Sequence, residues 1–548
     1  MKTDVYAASS ISRTSIGSIL DHPDGTALVV GFVSPHCDFP GVAETVRALI
    51  PDGTVFLLVS SAGELSCKFG TSPYSATEPE WDRIVLTSFS RRIFSDVALY
   101  AVPLPSKDIR DGHLNMTKDD RIREISGSLD NISPPFPCDF HNTFVLTFVD
   151  GLSNCEHYLL EAIYNSGRFP LVFIGGSAGG KLDFQRTYLF DGSRVLENHA
   201  LLCFVKLAAG KRYSIFKTQN FRRTDTSFMV ANTIRDLRLV QSVVSPTNYK
   251  TMTFVEALAS TLKCEMSEVK SRLHGMTFGV EVGGELYIRD VKSFNLSDGS
   301  ASFYCDVDFG DRLYLLEPTD FISTTRNDFA LFLKGKPRPI GALFFDCLSR
   351  RLKNLDDLAR VDVFDGVQLA GFSTFGELFG LNINLTLTAI FFFPDEGPFV
   401  DDIIDRFPVH YASFSGYFDR QAATRMKMLV EMHREQEGIR SQLRREHQFS
   451  EAMISSLPGI FFLLNDSGAL VLSNQNMESV TGLTPDDLMV KHVEDLCVPE
   501  DRVHLKKSIS NAVSNGKSAS EVRLVDHKGK VFPTTLRHTP LNSKVSVT

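Results

Sequence analysis

The chain has 548 residues, enough for three or four domains that each bury their own core. A formal net charge of -9, without any dense Lys/Arg block, argues against nucleic acid or an anionic membrane as the main partner. Nine cysteines scattered from Cys37 to Cys497, with no Cys-x-x-Cys pair, give no sign of a disulfide framework or a cysteine zinc site and indicate a reducing compartment. Residues 1–20 interrupt their apolar positions with Ser, Arg and Thr, and no apolar run reaches the length of a membrane span, so a cytoplasmic location is expected.

In chain order, residues 26–33 carry a buried-strand pattern, 42–49 a helical one and 55–59 a second strand. That strand empties into Ser60-Ser61-Ala62-Gly63-Glu64-Leu65. The same ending recurs at Gly175-Gly176-Ser177-Ala178-Gly179-Gly180-Lys181 and at Gly371-Phe372-Ser373-Thr374-Phe375-Gly376-Glu377. Glycine costs about 0.5 to 1 kcal/mol against alanine inside a regular element, so its recurrence at strand ends marks positive φ or a close approach to the backbone. A ligand is one group that makes such an approach. The first and third turns also set a glutamate after the glycine, Glu64 and Glu377, where a polar group can face a cleft. The plainer alternative is a tight structural turn with a solvated glutamate.

Further strands are expected at 84–89, 97–102 and 143–149, the last stopped by Asp150-Gly151. Ser153 and Glu156 have capping-box spacing and predict a helix through Tyr164. Residues 186–190 and 199–206, around Asp191-Gly192-Ser193, predict a hairpin that closes a first domain over 25–206. The polar stretch 217–225 then opens a second α/β domain over 217–395. It has helices at 254–262 and 266–273, strands at 286–288, 302–305, 312–316 and 340–345, and a closing strand at 384–392. The expected class is mixed α/β with segregated sheets. The Gly-Glu turns of its two halves then become candidates to face one another across an interdomain cleft, a common place for small ligands.

From Asp419 the composition turns charged and helix-favouring. Leu429, Met432, Gln436, Ile439, Leu443, Glu446, Ser450 and Met453 fall at alternating steps of three and four, a heptad seam with polar interruptions over 419–455. Such a seam predicts a parallel dimer and a signal-carrying connector; the alternative is a single solvated helix packed on its own receptor domain. After Leu457-Pro458-Gly459 two short strands flank an Asp-Ser-Gly turn, Asn474 and Asn476 follow, and Thr484 precedes Pro485 as a helix cap.

The Ser61–Leu65 turn, the stretch Asp150 to Glu156 leading into Gly175–Gly179, and Gly341 to Cys347 with Gly371 to Leu378 resemble the FIST sensory family in both its halves and in its order, over about 25–395. The resemblance implies an intracellular small-ligand input domain of a bacterial signalling protein, with a ligand such as an amino acid or metabolite. It implies haem binding and nitric oxide sensing in parts of the family. The middle motif departs from the family pattern, reading Gly179-Gly180-Lys181 where Gly-Asp is usual. Residues 456–548, with Pro499 to Arg502 and Asp526 to Pro533, resemble an α+β PAS domain that stops before its last strand, as in a truncated product. That resemblance implies a sensory or dimerising module. The ligand-binding candidates are Ser61, Gly63, Glu64, Gly176, Ser177, Gly179, Cys347, Arg350, Phe372, Ser373, Gly376 and Glu377.

Gly175 to Lys181 also matches the first seven positions of a phosphate-binding loop, but Leu182 stands where a magnesium-binding hydroxyl belongs, and residues 186–193 read as strand and turn rather than helix. Cys347, near Arg350 and Arg351, is a nucleophile candidate if the cations lower its pKa; a cysteine at a strand end is more often a buried small hydrophobe. No histidine pair has metal-ligand spacing. Haem needs only one axial histidine, for which His36 and His199 are weak candidates. The expected function is a non-catalytic cytoplasmic sensor that relays to the PAS module and a downstream signalling protein. Alternatives are a haem-based nitric oxide sensor, or the input part of a sensor histidine kinase or cyclic-dinucleotide enzyme.

Overall fold

The structure is a computed structural model. It describes residues 1–77, 80–244, 251–397, 401, 403–465 and 467–540, without the side chains of 420–422, 424–436 and 439. The chain forms two compact units, Met1–Met428 and Leu429–Thr548.

The threefold recurrence in the sequence is a threefold repeat of structure. Strand Thr26–Val33, helix Phe39–Arg47 and strand Val55–Ser60 make one β-α-β unit. Thr143–Val149, Glu156–Ser166 and Val172–Ser177 make a second, and Gly341–Cys347, Leu348–Lys353 and Leu369–Thr374 a third. In each, the two strands are parallel, and the first also carries an antiparallel neighbour: Arg83–Ser90, His199–Leu207 and Leu387–Pro394 respectively. These first strands are buried on both faces, which is why they read as continuous apolar runs. In helix Phe39–Arg47, Phe39, Val42, Ala43 and Val46 are the buried residues, at helical spacing. The three sheets share one core, in which Phe32 stacks on Phe372 at 4.8 Å and Phe148 meets Phe345 at 5.9 Å.

After its turn, each unit gives a strand to another unit's sheet. Glu64–Ser66 pairs with Leu369–Thr374, Gly376–Phe379 with Val172–Ser177, and Leu189–Phe190 with Val55–Ser60. The exchange is cyclic, so no unit completes its sheet alone. The hairpin expected over 186–206 is accordingly corrected: Leu189–Phe190 pairs with Val195–Leu196, while His199–Leu207 joins the second unit's sheet.

A fourth, eight-stranded sheet lies between the second and third units in sequence and is backed by helix Phe254–Leu262. The polar stretch 217–225 lies mostly in strands, Lys211–Thr218 and Phe221–Ile234. Its charges face outward and pair across strands, Arg222 with Glu317 and Arg223 with Glu281, so polarity here marks a solvated sheet face. The residues just after that long strand hold the two halves together through buried ions. Arg238 donates to Glu156 at 2.6 Å and to Asp306 at 3.4 Å. Glu156 is thereby engaged away from any capping box; its helix begins at Glu156 after Cys155 with no side-chain cap. Arg238→Ala leaves two buried carboxylates without their cation and is expected to cost about 3 to 5 kcal/mol in urea unfolding. A loss below about 1 kcal/mol would mean that water enters this interface.

Helix Phe407–Ser456 starts on the first unit, where Phe407, Phe414, Tyr417 and Phe418 are buried, and runs into the second. The heptad positions Leu429, Met432, Gln436 and Ile439 have side chains outside the described residues. In the second unit, strands Phe462–Leu464 and Leu470–Ser473 pair antiparallel, as do Ser518–Val525 and Val531–His538. Residue Asp466 of the expected turn, and the stretch 541–548, lie outside the described residues. Thr484 caps helix Pro485–Met489 by accepting from the Asp487 amide, as its position before a proline predicts. Asn474 and Asn476 both donate to the Gly459 carbonyl, fastening the entrance to this unit.

Candidate functional site

The three turns meet and close a ring of backbone hydrogen bonds. The Ala62 amide donates to Ser373 O at 3.0 Å, the Gly179 amide to Ser60 O at 2.9 Å, and the Phe375 amide to Ser177 O at 3.2 Å. Each donor stands two residues beyond the serine that accepts in its own turn, so the turns are related by an approximate threefold. At this hub glycine is needed for space. A Cβ on Gly179 would lie 2.8 Å from Ser373 O and closer still to the Ala62 nitrogen. Gly63 has φ +143°, and its Cβ position is filled by the Arg351 guanidinium.

Two buried polar groups flank the hub, and between them they hold most of the residues expected from sequence. On one side Glu64 is wholly buried; its carboxylate accepts from Ser61 Oγ at 2.8 Å and from Trp81 Nε1 at 2.9 Å, and burial pushes its pKa up to about 7. The Gly63 amide also donates to Ser61 Oγ, and Arg351 Nη1 donates to Ser373 Oγ at 3.1 Å. On the other side the Glu377 carboxylate accepts from Thr374 Oγ1 at 2.5 Å and from the Thr386 amide at 3.3 Å; burial, with Asp346 close by, raises its pKa well above the usual range. Gly176 and Ser177 pair in register with Glu377 and Gly376. Arg350 is ion-paired with Asp346 at 2.7 Å and donates to Tyr74 Oη at 2.9 Å. The two glutamates do not share an open cleft: each lies behind its own turn, in strands given to different sheets. Phe372 is core, and Ser177 Oγ donates to Glu156 at 2.6 Å.

Several buried polar atoms here have no hydrogen-bond partner: both side-chain polar atoms of Asn384, and Asn382 Oδ1, Thr388 Oγ1, Asp346 Oδ2, Arg350 Nε and Arg351 Nε. Such atoms cost about 1 to 3 kcal/mol each, so a concentration of them is what a site completed by water or ligand looks like. Trp81, Asn382, Asn384 and Asp346 were not among the sequence candidates. Trp81 is the chain's single tryptophan, which was the available signal; Asn384 was hidden at the start of an apolar strand pattern.

Cys347 is 1 % exposed, and burial with Glu377 nearby drives its thiol pKa well up, the opposite of what a nucleophile beside arginines requires. No helix opens at Lys181; the chain turns and continues to strand Leu189–Phe190, unlike a phosphate-binding loop. His36 packs on Trp81 at 4.7 Å and His199 Nδ1 meets Glu197 O at 2.7 Å. Neither lines the cavities of about 400 Å³ beside Lys336 and Arg338 or about 520 Å³ beside Lys206 and Arg212. Among the described residues no His, Cys, Asp and Glu cluster could hold a metal, and no helix is long and apolar enough to cross a membrane.

Interlocked α/β units with a buried polar centre, followed by a long helix and a small α+β unit, make a modular architecture. Residues 27–241 match the FIST N domain, 255–380 the FIST C domain and 448–545 the PAS fold. The chain therefore carries FIST N, FIST C and PAS domains in that order; these domains are sensory rather than catalytic, and they make it a signal-transduction sensor. The first two hub turns belong to FIST N and the third to FIST C. Among solved structures, the PAS domain of a protein from Colwellia psychrerythraea is 21% identical over 18% of this chain and 84% of that one, with a TM-score of 0.17. No curated protein sequence matches the chain.

Proposed function

We propose that the FIST region binds a small molecule at the hub of the three turns and that the helix Phe407–Ser456 relays the change to the PAS module. The observation that carries this reading is the concentration of buried, unpartnered polar atoms behind the Glu377 turn, around Asn384. A ligand that pairs with them recovers free energy that these atoms forgo while unpartnered. Because the turns interlock, a ligand at one turn bears on strands of two sheets. Shifting occupancy from 1:99 to 99:1 needs about 5.5 kcal/mol of differential binding, which a few buried hydrogen bonds can supply.

The test is a thermal-shift screen of the full chain against small metabolites, followed by titration of any hit on Glu377→Gln and Asn384→Leu variants. A hit is expected, with affinity lowered about twofold to tenfold in Glu377→Gln, the equivalent of about 0.5 to 1.5 kcal/mol for a hydrogen bond to a neutral carboxyl. Unchanged affinity in both variants would remove the hub as the binding site.

The relay is best served by a pair of helices. Leu443, Phe449 and Met453 are exposed apolar residues on the helix and support association with a second copy. A Leu443→Glu, Met453→Glu double variant is expected to sediment as a monomer with the sensor still folded. Monomeric wild type at tens of micromolar, roughly where weak interfaces populate, would count against the pairing.

A further inference from the structure

Arg351 is 1 % exposed, yet it forms no ion pair among the described residues. Three other buried arginines do: Arg121 with Asp108 and Asp236, Arg238 with Glu156 and Asp306, and Arg350 with Asp346. Arg289, also buried, donates to the carbonyls of Ile288 and Asn382 and is linked through Tyr417 to Asp311. The hydrogen-bond partners of Arg351 are all neutral, and Asp346 and Glu64 act on it only through space. Nη1 donates to Ser373 Oγ, Nη2 to the Ser75 carbonyl, the guanidinium lies 5.6 Å from the Tyr74 ring centroid, and Nε has no partner. Of the nearest acids, Glu64 is engaged by Ser61 and Trp81, and Asp346 pairs with Arg350 through Oδ1 while its Oδ2 has no hydrogen-bond partner. Burying a cation without an anion is costly, and a planar guanidinium offers its Nε and Nη2 edge to a carboxylate in a bidentate fork. Here that edge consists of one unpartnered nitrogen and one held by a backbone carbonyl.

We propose that Arg351 anchors a buried site for the carboxylate group of a small molecule, which takes Nε and Nη2 and replaces the Ser75 carbonyl. The proposal rests on the reading of the hub as the ligand site and names the chemical class of its ligand. Ser75 also donates from its amide and hydroxyl to the Glu64 carbonyl, and Trp81 donates to the Glu64 carboxylate, so displacing Ser75 disturbs the surroundings of Trp81. With one tryptophan in the chain, its fluorescence reports on this site alone.

The experiment titrates the full chain with acetate at pH 8, holding ionic strength constant with chloride, and follows Trp81 emission and thermal unfolding; inorganic phosphate is run in parallel. Acetate is expected to give a saturable change in emission and a rise in Tm. Arg351→Lys, which keeps the charge but not the fork, is expected to bind at least tenfold more weakly, and Arg351→Met to show no saturation. Absence of a saturable acetate response in the wild type, equal binding of phosphate, or unchanged affinity in Arg351→Lys overturns the proposal. If a neutral metabolite binds with sensitivity to Glu377→Gln while acetate does not, the carboxylate site falls and the hub sensor stands. If acetate does not bind and no metabolite does either, both fall. The wild-type titration decides the question even if Arg351→Met does not fold.

Discussion

Gly179→Ala is expected to destabilise the first unit by about 3 kcal/mol, at the upper end of what overpacking a close-packed interior usually costs. Gly179 is not in the left-handed region, so the penalty is one of space. The new methyl would press on the Ala62 nitrogen, Ser373 O and Ser61 C, all backbone atoms of the other two turns. Backbone in a hydrogen-bonded ring cannot swing aside as a side chain can. Gly53→Ala is the control: its φ of +76° makes alanine strained, but nothing lies within 4 Å, and the expected cost is only about 1 to 2 kcal/mol. Urea denaturation of the two variants measures the difference. Equal losses would mean that the three turns are not held together as the hydrogen-bond ring implies.

Glu64→Gln is expected to make the protein more stable at pH 8 and to flatten its stability between pH 4.5 and 7. In the folded chain burial raises the Glu64 pKa from 4.5 to about 7. Between these values the folded state holds a proton that the unfolded state has released, so stability is full below pH 4.5 and falls as pH rises through 7. The rise corresponds to about 3 kcal/mol, an order-of-magnitude figure for a fully buried group. The amide mimics the protonated acid and removes that loss. Asp108 and Glu161, both held near pKa 2, act in the opposite direction and at lower pH, so the difference between wild type and variant isolates Glu64. Chemical denaturation at pH 5 and pH 8 is the measurement. A variant less stable than wild type at pH 8 would show that the Glu64 carboxylate gains more from Arg351 than its burial costs, and would weaken the case for an unpaired cation.

Local order determined a good deal of this protein directly from sequence. The largely apolar first strands, the helix Phe254–Leu262 with its Thr253 cap, the Thr484-Pro485 helix start and the three glycine-rich strand ends follow from periodicity, capping and backbone sterics, which act over a few residues. The FIST and PAS motifs were equally plain. What only the tertiary structure decided was where the ends of the strands go. Nothing in Ser61 to Leu65 says that Glu64–Ser66 pairs with a strand three hundred residues later, because β pairing is made with whichever edge the rest of the chain presents. The same holds for the buried ions. Glu156 has the spacing of a helix cap, but Arg238, brought to it by a distant strand, takes its carboxylate instead. Arg350 and Arg351 are adjacent and chemically alike, yet one meets Asp346 and the other only hydroxyl, carbonyl and ring. Charge compensation is a property of three-dimensional neighbours, so an unpaired cation could be recognised only once the three units were folded around it.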